Sequence, residues 1–320
     1  MDAGAQPEQR PGLDGSLPVI AIFGPTAIGK TGVAIELADL LRRRGEDPVA
    51  INCDSIQVYE GLELISGAAS EEERERLEHR LLSFVPIDRE CSAGRFGDRA
   101  HREIDGALAN GRRPILVGGT GLYLRAALTE LEMRPPVEED LRQAVEAEVE
   151  ERGSEALHRE LPDELAERVH PNDRKRVARL TELIRSGHDP HPDHLGGGEL
   201  WTAGLRRPTL LVGLVEDDED LIAKIRIRVD RMAESGAAEE AERALEHGAA
   251  RTVRAAIGFD EFRQNDLERV VILHRRYGRR QMTWMRRMEG VEVIDRTGRG
   301  NAEVAAQILE LSEQIPCRVA

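Results

Sequence analysis

Short, mostly apolar runs alternate along this chain with segments whose apolar residues recur at helical spacing. In the first such segment, the three- and four-residue spacing from Val33 to Leu41 places one apolar face on a helix. The apolar runs cover residues 18–23, 47–54, 114–124, 209–215 and 291–295. Runs without polar alternation are typical of strands that are buried on both faces of a parallel sheet. The pattern therefore predicts an α/β fold with a parallel sheet flanked by helices.

The strand signals disappear between residues 135 and 207. Charged helices are predicted there over residues 138–152, 154–161 and 174–185. We therefore predict an all-helical insertion at 135–207, set into a core made of residues 18–134 and 208–320. Residues 1–17 are polar, contain Pro and Gly, and lack the apolar stretch of a signal peptide, so we expect a disordered tail.

Composition narrows the class of protein. The 320-residue chain carries a formal net charge of −15, which disfavours indiscriminate nucleic-acid binding by the whole surface but allows a local basic patch. Cys53, Cys91 and Cys317 form no C-x-x-C pair, so neither a disulfide framework nor a zinc site is indicated. No apolar stretch approaches the ~20 residues that span a bilayer. We expect a soluble, monomeric, cytoplasmic protein.

A complete G-x-x-x-x-G-K-[ST] phosphate-binding motif lies between the first apolar run and the first predicted helix. It comprises Gly24, Pro25, Thr26, Ala27, Ile28, Gly29, Lys30 and Thr31. In such a loop, backbone N–H groups and the helix N-terminus hold an oligophosphate. Lys30 would reach the terminal phosphates, and the Thr31 hydroxyl would hold Mg²⁺. The motif predicts a P-loop NTPase-like core.

An acidic residue, Asp54, ends the second apolar run. Because ligands of open α/β sheets bind beyond the carboxyl ends of the strands, Asp54 is expected to face the same crevice as the phosphate loop. Three roles are open for it: a metal ligand, a general base, or a cap of the turn that follows. The run at 114–124 continues from its strand into Gly118, Gly119 and Thr120, which allow close approach of a substrate and offer a hydroxyl.

Two predicted helices carry clusters of basic residues. Four of these residues occupy the first turns of 174–185, where cations oppose the helix dipole, which indicates an anionic ligand. Residues 275–287 contain six arginines with Tyr277 and Trp284 seven positions apart. This pattern suits RNA with stacked bases, or else aromatic residues that pack into the core. Arg228, on an otherwise apolar stripe, is either a rim residue or an anion clamp.

Taken together and in order, the motifs resemble those of the tRNA dimethylallyltransferase (tRNA isopentenyltransferase) family over residues 19 to 290. The matching segments are 24–31, 54–59, 118–123, 170–173, 257–261 and 280–284. The resemblance implies transfer of the dimethylallyl group from dimethylallyl diphosphate to N6 of the adenine that follows the tRNA anticodon. Gly24 to Thr31 would then bind the diphosphate with Mg²⁺. By the same resemblance, Asp54 is the general base, and Arg228 and Thr26 assist the leaving diphosphate.

The resemblance also implies which residues contact the tRNA. They are Asp54, Ser55, Ile56, Gln57, Thr120, Arg142, Lys175, Arg176, Val177, Ala178, Arg179, Arg279, Arg280, Gln281, Thr283, Trp284 and Arg286. Two segments depart from the family pattern: Ser66–Ser70 lacks the usual Gly-Thr-Ala-Lys, and Asp260 replaces a lysine. The absence of a C-terminal zinc-finger extension matches the bacterial form.

Three alternatives remain open at this point. A small-molecule or nucleoside kinase would use the phosphate loop, with Asp54 as its base, but leaves the arginine–aromatic helix unexplained. A related enzyme that prenylates free adenine nucleotides would not need the basic residues of the insertion. A non-catalytic RNA-binding module would have no use for Asp54 beside a phosphate loop.

Overall fold

The computed structural model describes residues 17–131, 135, 137–188, 190 and 204–315. The chain divides into two compact units: Met1–Glu130 with Leu205–Ala320, hereafter the core, and Leu131–Gly204, hereafter the insertion. The expected N-terminal tail falls outside the described residues except for Leu17, and so does most of the loop from His188 to His194. None of the helices described is both long and apolar enough to cross a membrane.

A parallel sheet forms the centre of the core, as the apolar runs predict. Its strands are β1 (Val19–Phe23), β2 (Asp47–Asn52), β3 (His79–Arg80), β4 (Arg112–Gly118), β5 (Thr209–Val215) and β6 (Val291–Asp295). Within the described residues, their order is β3-β2-β4-β1-β5-β6. Every pair is parallel, so the carboxyl ends of all strands lie at one edge of the sheet. The segments that follow β1, β2, β4, β5 and β6 therefore meet at that edge.

Helices surround this sheet. Those of the core are α1 (Lys30–Arg43), α2 (Glu63–Ser66), α3 (Glu71–Arg76), α4 (Ala93–Ala109), α5 (Gly121–Leu128), α10 (Asp218–Glu234), α11 (Ala237–Glu246), α12 (Arg251–Arg254), α13 (Phe259–Arg263), α14 (Leu267–Arg287) and α15 (Asn301–Ser312). Apolar residues of α1, α15 and the sheet form one buried cluster, which includes Leu37, Ile308 and Val212. The apolar face predicted between Val33 and Leu41 is the face of α1 that enters this cluster.

Local hydrogen bonds and backbone angles set two further element boundaries. Helix α4 begins at Ala93 because Ser92 caps it: the Ser92 side chain accepts a hydrogen bond from the N–H of Arg95 at 3.3 Å. In the segment 79–84, only β3 is a strand. The chain turns at once because Leu81 and Ser83 adopt positive φ angles of 58° and 43°.

Helices are the regular elements of the insertion within its described residues, and they enclose a small hydrophobic core of their own. These helices are α6 (Glu139–Arg152), α7 (Ser154–His158), α8 (Asp163–Ala166) and α9 (Arg174–Arg185). Apolar residues of these helices, among them Val145, Leu157 and Val177, form a separate cluster. After the insertion the chain rejoins the core, where the N–H of Arg206 donates to the carbonyl oxygen of Leu128 at 2.9 Å.

Candidate active site

The phosphate loop adopts a compact turn between β1 and α1. Ala27 and Gly29 both have left-handed backbone conformations, with φ angles of 63° and 85°. Such a conformation is unfavourable for alanine and is found most often where function requires it. The helix begins at Lys30, so the unpaired N–H groups of its first turn lie at the end of the loop. This is the backbone arrangement that binds anions at helix N-termini.

The side chain of Lys30 folds back over the loop. Its Nζ donates hydrogen bonds to the carbonyl oxygens of Gly24 at 3.0 Å and Pro25 at 2.9 Å. Burial lowers the pKa of Lys30 to about 8, while the negative charge of Asp54 opposes this shift and Arg228 adds to it. The lysine is therefore held beside the loop by neutral carbonyls, and an anionic ligand would restore its ordinary basicity.

Asp54 follows β2 and has one carboxylate oxygen committed to its own turn. Oδ1 accepts the N–H of Ile56 at 3.0 Å, and the Asp54 N–H is held by the Asn52 side chain at 3.1 Å. Among the described residues, no hydrogen bond reaches the second oxygen, Oδ2. The turn-capping role and a chemical role are thus compatible, because each oxygen can serve one of them. The charge of Asp54 acts on the pKa values of both Lys30 and Arg228.

Arg228 lies on α10 and is directed at a turn of the core. Its Nη2 donates to the carbonyl oxygens of Ser66 at 3.3 Å and Gly67 at 3.4 Å. A side chain at position 67 would collide with this guanidinium, which explains the glycine. Burial lowers the pKa of Arg228, and the charge of Asp54 opposes the shift. These contacts direct the guanidinium at the core instead of a solvent-facing rim, and the anion clamp stays a prediction.

The segment from Ser55 to Gln57 is tied to its surroundings by side-chain hydrogen bonds. Gln57 Nε2 donates to the carbonyl oxygen of Gly67 at 3.1 Å, the same group that Arg228 contacts. The Thr120 hydroxyl accepts the N–H of Ser55 at 3.1 Å and lies 3.3 Å from the hydroxyl of Tyr277. The loops after β2 and β4 and the helix α14 therefore form one connected surface beside the phosphate loop.

Gln281 is buried between two loops. Its Oε1 accepts the N–H of Thr26 at 2.8 Å, and its Nε2 donates to the carbonyl oxygen of Gly119 at 2.8 Å. The side chain is only 3% exposed, so the contact with tRNA that the resemblance implies would require both bonds to be replaced. A side chain at position 119 would collide with Gln281, and one at position 121 would collide with Trp284. The glycines after β4 therefore allow α14 to approach.

The outer face of α14 carries the predicted basic surface. Arg279, Arg280, Thr283 and Arg286 are exposed. The guanidinium of Arg280 lies 5.5 Å from the centre of the Tyr277 ring. Tyr277 itself is half-buried, and Trp284 packs on Gly121. Core packing and a basic surface, the two alternatives for this helix, therefore each describe one of its faces. The aromatic residues and Gln281 pack inward, whereas the arginines face solvent.

In the insertion, the predicted tRNA-contacting residues differ in exposure. Val177 is fully buried in the hydrophobic cluster of the insertion, so its side chain supports the helix. Arg176 and Lys175 are exposed at the start of α9, which Asp173 caps by accepting the N–H of Arg176 at 3.2 Å. The remaining three are half-buried: Arg142 pairs with Glu139 on α6, Arg179 pairs with Glu182 on α9, and Ala178 precedes Arg179 in that helix.

Sequence reasoning missed Glu240, which shapes the site through the backbone. Glu240 on α11 is 3% exposed, and its two carboxylate oxygens accept the N–H groups of Leu64 and Ile65, each at 2.8 Å. It thereby caps α2, whose last residue, Ser66, contributes a carbonyl oxygen to Arg228. Burial raises the pKa of Glu240. Its sequence context is an ordinary charged helix, so no local signal distinguishes it from a solvent-exposed glutamate.

The donors available for a metal ion are few. Thr31 offers one hydroxyl oxygen in the first turn of α1, and among the described residues no group of three His, Cys, Asp or Glu side chains could hold a metal ion. Mg²⁺ commonly keeps several waters and takes few protein ligands when substrate phosphates complete its shell. The residues present therefore fit a magnesium ion that is bound together with a diphosphate.

Comparison with known proteins connects this site to one family. A family model described as IPP transferase matches residues 57–288. A tRNA dimethylallyltransferase from Acetivibrio thermocellus is 37% identical over 294 residues, which cover 87% of this chain and 91% of the relative. One from Exiguobacterium sibiricum is 38% identical over 282 residues, covering 84% and 86%.

Solved structures agree with these relatives. The full-length tRNA isopentenylpyrophosphate transferase from Bacillus halodurans superposes with a TM-score of 0.65 at 29% identity, covering 93% of this chain and 98% of that chain. A eukaryotic dimethylallyltransferase acting on tRNA gives a TM-score of 0.73 at 24% identity, covering 93% and 80%. The latter likeness shows that the fold is shared.

Proposed function

Since this chain belongs to the IPP transferase family, we propose that it transfers the dimethylallyl group from dimethylallyl diphosphate to N6 of the adenine 3′-adjacent to the anticodon of tRNAs. Its curated relatives are tRNA dimethylallyltransferases at 37% and 38% identity. The phosphate loop, Asp54 and Arg228 support this proposal because all three lie at the carboxyl edge of the sheet or act on one another electrostatically.

One observation carries the proposal. The carboxylate of Asp54 lies within electrostatic range of both Lys30 and Arg228, at the carboxyl edge of the sheet where the phosphate loop opens. A diphosphate bound by the loop would thus be flanked by two cations, and a base would stand beside them. Alkylation of an amine needs two things from the protein: stabilisation of the leaving group and a base that accepts the proton of the amine.

The proposed reaction is a substitution at carbon. The exocyclic N6 of adenine forms a bond to C1 of the dimethylallyl group as the bond from C1 to the diphosphate oxygen breaks. The diphosphate leaves with the electron pair, and Lys30 and Arg228 stabilise its growing charge. The proton lost from N6 passes to Oδ2 of Asp54, the oxygen outside the turn. Thr26 is proposed to contact the diphosphate beside the reacting bond.

The Thr31 hydroxyl is proposed to hold Mg²⁺ that is bound together with the diphosphate. When bound, it would neutralise charge on the departing diphosphate, as metal ions do in phosphoryl chemistry. The proton from N6 is accepted by Asp54 and not by a group bound to the metal ion.

We propose that the exposed arginines of α14, including Arg279, Arg280 and Arg286, bind the anticodon stem-loop. Arginine contacts with phosphates supply affinity that is independent of sequence, and the acidic remainder of the chain limits binding elsewhere. The adenine must leave its stack to reach the base beside the phosphate loop, as in other enzymes that modify a base. Lys175 and Arg176 of the insertion are proposed as further tRNA contacts.

The test uses radiolabelled dimethylallyl diphosphate with Mg²⁺ and two acceptors in separate reactions. One is an unmodified anticodon stem-loop with adenine after the anticodon, and the other is AMP. Label in the stem-loop alone would support the proposal. Label in AMP alone would assign the chain to enzymes that prenylate free nucleotides. Absence of prenyl transfer, with phosphate transfer from ATP instead, would favour the kinase.

A further inference from the structure

Two oppositely charged side chains are buried beside the phosphate loop. Glu216 directly follows β5, and Arg296 directly follows β6, so both lie at the carboxyl edge of the sheet. Their side chains are 1% and 7% exposed, with Arg296 Nε 3.8 Å from Glu216 Oε1. Buried ion pairs add little to stability compared with apolar residues of the same size, so a pair at this position points to a role beyond stability.

The guanidinium of Arg296 contacts the phosphate loop directly. Its Nη1 donates to the carbonyl oxygen of Ile28, and its Nη2 donates to Asn301 Oδ1 at 3.1 Å. A Cβ added to Gly29 would lie 2.5 Å from Nη1, so the guanidinium packs on the glycine that ends the loop. Because Arg296 is buried, it is not presented to a ligand.

A hydrogen bond to the Ile28 carbonyl also orients the next N–H group. The peptide between Ile28 and Gly29 is planar and trans, so its C=O and N–H point in opposite directions. When Arg296 holds the carbonyl on its own side, the Gly29 N–H is aimed to the other side. That N–H is one of the backbone donors from which a phosphate loop builds its anion site.

The ion pair also extends to the helix that carries the proposed anion clamp. Lys224 on α10 forms an ion pair with Glu216 Oε1. Lys224 and Arg228 are four residues apart on that helix and therefore share a face. A chain of polar contacts thus runs from α10 through Glu216 and Arg296 to the phosphate loop.

We propose that Arg296 is a positioning residue that fixes the orientation of the phosphate-loop peptides for binding of a diphosphate, without touching the ligand itself. This inference rests on the proposed function, because the loop must bind a diphosphate for its orientation to matter. Loss of Arg296 would leave the loop intact but free the Ile28 peptide to rotate. Affinity for diphosphate falls, while the tRNA surface on α14 is unaffected.

The test measures binding of inorganic pyrophosphate with Mg²⁺ by calorimetry. In Arg296→Met, the dissociation constant should rise about tenfold or more, the usual cost of losing a group that orients a ligand-binding atom. Arg296→Lys keeps the positive charge beside Glu216, so it should fold, but it lacks the planar guanidinium whose two Nη atoms separately bond Ile28 and Asn301. The dissociation constant of Arg296→Lys for pyrophosphate should therefore also rise. The KM for dimethylallyl diphosphate should rise in parallel, with tRNA affinity unchanged.

A matched control is Arg113→Met. Arg113 is equally buried and lies 3.5 Å from Glu46, but it stands near the amino end of β4, at the opposite edge of the sheet. The Arg113→Met variant should have a lower melting temperature and an unchanged affinity for pyrophosphate. Unchanged affinity in folded Arg296→Met and Arg296→Lys would overturn this inference alone. Failure of the unaltered protein to bind pyrophosphate would overturn the proposed function and this inference with it.

Discussion

The Gln281 amide accepts the N–H of Thr26 through Oε1 at 2.8 Å, so a residue near the end of α14 fixes the conformation of the phosphate loop 255 positions earlier in the chain. The same amide holds Gly119 through Nε2. The helix whose outer face is proposed to bind tRNA is thus bonded on its inner face to the loop proposed to bind diphosphate. Binding of the two substrates can be coupled through this side chain.

Replacement of Gln281 by Leu should raise the KM for dimethylallyl diphosphate about tenfold, because the Thr26 N–H and the Gly119 carbonyl each lose a buried partner. Affinity for the anticodon stem-loop should change little, since the side chain is enclosed. Steady-state kinetics with each substrate varied in turn would separate the two effects. Thr283→Ala, on the exposed side of the same helix, is the control for the diphosphate effect alone, because it should leave the KM for dimethylallyl diphosphate unchanged. A loss confined to stem-loop affinity would instead support direct contact of Gln281 with tRNA.

Asp54→Asn should lower kcat by about 10²- to 10⁴-fold, the usual contribution of a general base. The amide keeps an oxygen that can accept the Ile56 N–H, so the turn should stay intact. Stem-loop binding, measured by fluorescence anisotropy, should be preserved. Asp54→Ala removes the turn bond as well and should be less stable but no less impaired in kcat. Full activity of the Asn variant at saturating substrates would rule out the general-base role.

Pyrophosphate affinity should weaken as pH rises through the pKa of Lys30, about 8. Burial lowers that pKa, and a bound anion raises it again, so binding above pH 8 must take up a proton. The loss of affinity should approach tenfold per pH unit where one proton is taken up. Calorimetry in buffers of different ionisation enthalpy would report the proton directly. Lys30→Arg, which stays charged throughout this range, should lose this inflection, and its persistence would assign it to another group.

The same pKa shift affects stability in a defined direction. Lys30 binds its proton less tightly in the folded state than in the unfolded state, where its ordinary value is 10.5. The unfolded chain therefore binds more protons between about pH 8 and 10.5. Burial of the charged Lys30 side chain is a penalty to the folded state that is fully present below pH 8 and is relieved as pH rises through that window. In urea unfolding, the Lys30→Met variant should lack this rise in the free energy of unfolding. Below pH 8 the effect of Lys30 on that free energy does not vary with pH.

Arg280→Glu combined with Arg286→Glu should weaken stem-loop binding and reduce its dependence on salt. Each phosphate contact that is lost lowers the slope of log affinity against log salt by about 0.7 to 0.9. Binding isotherms between low and moderate salt would give the slope, and pyrophosphate affinity should be unchanged. Arg299→Glu combined with Arg263→Glu, which replaces two arginines paired with Glu303 and Glu242 away from α14, is the charge-matched control. An equal loss in both variants would indicate a general charge effect.

The parallel sheet and the phosphate loop could be predicted from the sequence because both depend on residues that are close together along the chain. Apolar runs such as Val19–Phe23 can be satisfied only as strands buried on both faces, and the loop motif is contiguous. Asp54 was found for the same reason: it directly follows a strand, so the topology places it at the ligand edge. The family resemblance drew on these same contiguous motifs.

Only the tertiary structure decided which side chains hold the loop. Gln281 and Arg296 bond to Thr26 and Ile28 from more than 250 positions away, and the spacing along the chain carries no sign of either contact. The arginines of α14 were visible in the sequence, but which face of the helix packs inward depended on the glycines after β4. Local patterns specify strands, helices and loops because those are set by neighbours in sequence. Hydrogen bonds between distant segments form only when packing brings those segments together.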